Sequence, residues 1–86
     1  MRGLKEVTTK AKRHDRIKNN PAGVRFEEAE TWLLSFGFRE REARGSHKVF
    51  THPLWDGGLT MQNHRGKAKP YQVKQALDAI KEIYNV

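Results

Sequence analysis

The sequence predicts a small α+β domain in the order helix, three antiparallel strands, helix, behind a basic N-terminal segment. Three observations carry this. Apolar residues recur at helical spacing over 26–36 and again over 71–84. Short segments separated by Gly-containing turns lie between those stretches, as strands joined by hairpins do. The chain holds 86 residues and eight aromatic side chains, enough for one modest core.

Residues 1–20 form the basic extension, and within it Leu4, Val7, Ala11, His14 and Ile17 fall on one helical stripe over 4–18. Asn19-Asn20-Pro21-Ala22-Gly23 then stops the chain, because Pro and Gly punctuate and Asn favours turns. The domain proper is expected over 21–86. Its first helix carries Phe26, Ala29, Trp32, Leu33 and Phe36 on one face, with Glu27, Glu28 and Glu30 between them. Early acids suit the positive end of a helix, and Gly37 supplies the stop.

Three strands are expected next: 38–43, 46–52 and 59–62. Arg44-Gly45 is the first turn. Pro53 to Gly58 reads as a loop, since Asp-Gly and Gly-Gly tolerate the positive φ of tight hairpins. Asn63 to Lys69 reads as a polar, basic loop. The last helix begins near Pro70, a residue suited to the first helical turn, and buries Tyr71 or Val73, Ala76, Leu77, Ile80, Ile83 and Tyr84. Both helices would cover one face of the sheet and leave the other open.

Lys and Arg number 17 against 10 acids, a formal net charge of +7. A basic surface of this size attracts polyanions, of which nucleic acid is the usual one. The excess is uneven: residues 1–20 hold seven basic and two acidic side chains, residues 21–86 ten and eight. The absence of cysteine rules out a disulfide framework and any thiolate zinc site, and it fits a cytoplasmic protein. The longest apolar stretch, Trp32-Leu33-Leu34, is far too short to span a membrane, and no signal-peptide pattern is present.

No nucleophile motif, phosphate-cradling Gly-rich loop or cofactor-binding pattern is found. The chemistry therefore centres on His47, His52 and His64. Histidine exchanges a proton near neutrality, which suits cleavage of RNA through its own 2′-hydroxyl. Strand side chains alternate, so residues 47 and 52 point to opposite faces. If Phe50 packs beneath the helices, His52 and Lys48 share its face, and His47 stands on the open one with Val49 and Thr51. The same parity argues against a metal site joining the two histidines.

Gly45-Ser46 ahead of His47 admits a close phosphate and offers a hydroxyl, although an ordinary hairpin turn would look the same. His64, Lys67 and Lys69, with Arg65 between, lie just before a helix N-terminus, where backbone N–H groups also favour anions. Trp55 either stands exposed for a base or a protein partner, or folds back on the sheet.

Gly45-Ser46-His47 followed by Lys48-Val49-Phe50-Thr51-His52-Pro53 resembles the Gly-Ser-His-x-x-aromatic-x-His-Pro strand of HicA toxins. Gly66-Lys67-Ala68-Lys69-Pro70-Tyr71-Gln72-Val73 resembles the junction to the last helix in one branch of that family. Val24-Arg25-Phe26 through Gly37-Phe38 resembles its first helix, so the likeness covers about 24–84. It implies a double-stranded-RNA-binding-like fold and metal-independent cleavage of mRNA by the histidine of Gly-Ser-His, here His47. It also implies neutralisation by a HicB antitoxin that covers the active site. Arg44, Gly45, Ser46, Lys48, His64, Lys67 and Lys69 are the candidate RNA contacts on local chemistry alone. A non-catalytic RNA-binding module of the same fold is the alternative that these residues leave open.

Overall fold

The computed structural model describes residues 8–86. Leu4 and Val7 of the expected N-terminal stripe lie outside the described residues. Helix α1 spans Thr9–Asn19, with the Thr8 hydroxyl capping it by accepting from the Ala11 N–H at 3.1 Å. A single 3-10 turn, Pro21–Gly23, leads to α2, Phe26–Ser35. Strands β1 (Arg39–Arg44), β2 (His47–His52), β3 (Trp55–His64) and β4 (Lys67–Ala68) follow, then α3, Pro70–Tyr84. The sheet is antiparallel throughout in the order β1-β2-β3-β4.

Two expectations about the sheet need correction. It has four strands rather than three, because part of the basic loop expected at 63–69 pairs as β4. A two-residue turn, Arg65-Gly66, folds Asn63↔Ala68 and His64↔Lys67 into register, and the Asn63 side chain accepts from the Gly66 N–H at 2.8 Å. The loop expected over 53–58 is also shorter. The turn is Pro53-Leu54, closed by the Leu54 N–H donating to His52 Nδ1 at 3.0 Å, and Trp55 already pairs with His52. Asp56, Gly57 and Gly58 form a bulge inside β3 instead of the hairpin tip; Gly57, at φ 100°, supplies its left-handed residue.

α2 and α3 pack on the sheet face carrying Phe50, Leu59 and Met61, all nearly fully buried. Ala29, Trp32 and Leu33 from α2 and Val73, Ala76 and Ile80 from α3 complete that core. α2 ends as its sequence dictates: Gly37 takes φ 91°, so its N–H and that of Phe38 reach the Leu34 and Leu33 carbonyls. α1 lies on α2, burying His14 and Ile17, and the Trp32 indole N–H donates to His14 Nδ1 at 3.1 Å. The outer edge of β4 is covered by Val24–Phe26, whose backbone exchanges 2.9 Å bonds with Ala68 and Gly66. β4 is only two residues long, and beyond it the buried Gln72 side chain accepts from the Gln62 N–H at 2.7 Å. Without that acceptor, the donor would be lost inside the fold.

Candidate active site

The open face of the sheet is set by β2. His47 is exposed, Phe50 and His52 are buried, and Lys48 is half-buried on the helix side. Residues directly opposite in an antiparallel ladder share a face. Arg44 on β1, His47 on β2 and Gln62 on β3 are in direct register, and form a row across the open face. Glu42, Val49 and Thr60 form the next row. His64, two residues beyond Gln62, returns to the same face and is paired with Lys67 on β4. The ladder thus gathers one acid-base group, two cations, one amide and a second histidine at one end of the open face.

Local structure explains the placement. The Gly45-Ser46 turn joins β1 to β2, with Gly45 at φ 60°, and brings His47 back opposite Arg44. The Asn63 N–H donates to the Ser46 carbonyl at 2.8 Å and fixes the turn against β3. A side chain built at Gly45 would meet nothing within 4 Å, so the outer surface of the turn is open to an approaching backbone. Gly45 and Ser46 also line a groove with Phe26, Glu27, Glu30, Lys48 and Asn63, on the α2 side of the turn.

Lys48 does not share the face of His47. Its ammonium is hydrogen-bonded to the Glu30 carboxylate of α2 and lies 3.6 Å from Glu40. The hydrogen bond to Glu30 raises its pKa above the ordinary lysine value. His52 is likewise structural. Nδ1 accepts from Leu54, which puts the ring proton on Nε2, within 3.0 Å of the Phe36 carbonyl and 2.8 Å of the Tyr84 hydroxyl. Trp55 folds back: half-buried, it meets Phe38 edge-on and donates its indole N–H to Glu82 at 3.0 Å.

A second groove, at the β4–α3 junction, is lined by Ala22, His64, Arg65, Lys67, Ala68, Lys69 and Pro70. Its titratable side chains are cationic or imidazole, and α3 starts there with no side-chain cap and no acid in its first turn. Among the described residues, Arg44, Arg65, Lys67 and Lys69 make no ion pair. No group of three or more His, Asp or Glu is gathered among the described residues in a way that could hold a metal ion. No described helix is long and apolar enough to cross a membrane.

Sequence reasoning did not single out Gln62 as a neighbour of His47. Its signal was the alternation Leu59-Thr60-Met61-Gln62, which puts Thr60 and Gln62 opposite the two buried side chains. Nothing in the sequence pointed to Glu30 as the partner of Lys48, since 18 positions separate them.

Fold and face together define a class: a small α+β domain of double-stranded-RNA-binding-like layout, with a fourth strand and a histidine on an open, cation-rich sheet face. A family model for the HicA toxin of bacterial toxin–antitoxin systems matches residues 26–82, or 57 of the 86. The chain belongs to that family and is the toxin component of a toxin–antitoxin pair. No curated protein and no solved structure matches it. The matched span opens at the first residue of α2, so α1 and the 3-10 turn stand outside it.

Proposed function

We propose that this toxin is a metal-independent endoribonuclease that cleaves mRNA in the cytoplasm, with His47 as its catalytic residue. The observation that carries the reading is the position of His47: exposed on the open face, between Arg44 and Gln62, beside the Gly45-Ser46 turn. An imidazole there can take the proton from a ribose 2′-hydroxyl as its oxygen attacks phosphorus. The 5′-oxygen of the next nucleotide leaves with a proton, and the products are a 2′,3′-cyclic phosphate and a 5′-hydroxyl end. Arg44 and Lys67 would offset charge on the phosphoryl oxygens, and the Gly45-Ser46 turn would admit the backbone. His64, on the same face, is the candidate for the second proton transfer, with His47 itself shuttling the proton as the simpler route. Residues 21–86 form the catalytic unit and residues 1–20 an addition to it. A HicB-like antitoxin would neutralise the toxin by covering the same face.

The test compares the purified wild-type chain with His47→Ala on a mixed-sequence RNA in the presence of a chelator. The His47 side chain is exposed and makes no hydrogen bond among the described residues, so the variant keeps the fold, and cleavage falls by about 10²–10⁴. Equal cleavage by both proteins removes His47 from the chemistry. RNA binding without cleavage by either favours the RNA-binding module.

A further inference from the structure

The turn between β3 and β4 breaks the local rule for its geometry. Both of its residues have positive φ, 56° at Arg65 and 88° at Gly66. This type I′ turn favours Asn or Gly at its first position, because a long side chain is strained in the left-handed region. The chain places arginine there. The turn is also held hard in place: Gly66 donates to the Asn63 side chain at 2.8 Å and accepts from the Phe26 N–H at 2.9 Å. Arg65 therefore cannot relax without releasing α2 and the edge strand.

The side chain that carries the strain lines the basic groove with His64, Lys67 and Lys69. It is exposed and has no carboxylate partner among the described residues. Among the described residues no acid offsets its charge, and two lysines line the same groove. An anion that binds several of these cations at once would reverse that balance. Arg65 lies three residues beyond Gln62, in the turn just past the end of β3, at most roughly 10 Å along the chain from the position opposite His47. A strand lying across His47 would thus present a different phosphate to Arg65.

We propose that Arg65 is a phosphate-binding residue, holding a backbone phosphate of the RNA next to the one cleaved at His47, and that its strained turn is kept for this purpose. The proposal rests on the reading of the open face as an RNA-cleaving site. Arg65→Asn suits it as a test, since asparagine fits the left-handed position and the variant should fold better than the parent. Binding of a fluorescent single-stranded RNA is measured by titration at several salt concentrations, with His47→Ala as the uncleaving background. Adding Arg65→Asn should weaken binding about tenfold and lower the slope of log K against log[salt] by about 0.7, one phosphate contact on a single strand. Its melting temperature should rise by about 2–5 °C. Unchanged affinity and salt slope in a folded Arg65→Asn protein overturn the role of Arg65 while leaving the RNA reading intact. A fall in melting temperature overturns the strain argument. Failure of the His47→Ala background to bind RNA at all sinks both.

Discussion

His52 has all of its ring polarity committed inside the protein, to Leu54, Phe36 and Tyr84, and its ring meets Phe38 edge-on. The His47 side chain, five positions earlier on the same strand, makes no hydrogen bond among the described residues and is exposed. The two should separate cleanly on mutation. His52→Ala is expected to cost about 2 kcal/mol, because it opens the Pro53-Leu54 turn and strips buried contacts, while cleavage at low temperature survives. Urea denaturation followed by fluorescence reads the first effect and an RNA cleavage assay the second; loss of cleavage at full stability would reverse the assignment. Alternation along β2 makes this division legible in the sequence. The same alternation already set Lys48 beside Phe50, on the covered face. Lys48 is a candidate RNA contact on its charge, and the Glu30 carboxylate bonded to it comes from a distant helix that sequence spacing cannot register.

Among the elements, α1 depends on one buried titratable group. His14 accepts from the Trp32 indole and sits between α1 and α2, against Phe36. Burial lowers its pKa from the ordinary 6.5, nearby Lys18 and Lys10 push the same way, and Asp15 opposes them. The unfolded chain therefore binds a proton that the folded one resists. The contribution of His14 is fully present above pH 6.5 and is lost as pH falls below that value toward the depressed folded pKa. Melting temperature should hold level from about pH 8 to 7 and then decline toward about pH 5. His14→Gln keeps an acceptor for Trp32 and does not titrate, so it should flatten part of that decline; an identical profile would show that His14 does not set it. The helices were legible because their apolar stripes and stop signals agree, as at Gly37. β4 was not. Its two residues carry no alternation to read, and their outer edge is held from elsewhere, by the Val24 carbonyl accepting from the Ala68 N–H and by the Phe26 N–H donating to the Gly66 carbonyl in the turn.

Over the whole molecule, the helix layer and the open sheet face divide the basic charge into two opposed surfaces. Lys10, Lys12 and Lys18 are exposed on α1, which packs against α2 in the helix layer. Lys67 is exposed on β4, beside the row that holds His47. A partner that neutralises the toxin by blocking chemistry must cover the second surface, and geometry gives it no reason to reach the first. Lysine acetylation of the toxin alone and in complex with its antitoxin, read by peptide mass spectrometry, should show Lys67 protected about tenfold or more. Lys10, Lys12 and Lys18 should react at unchanged rates. Protection of α1 with Lys67 still reactive would mean that the antitoxin acts from the helix side, and that inhibition works through the fold rather than by covering His47. Because α1 stands outside the span shared with the family, such a result would also put the contact on a part of the chain that the family model does not cover.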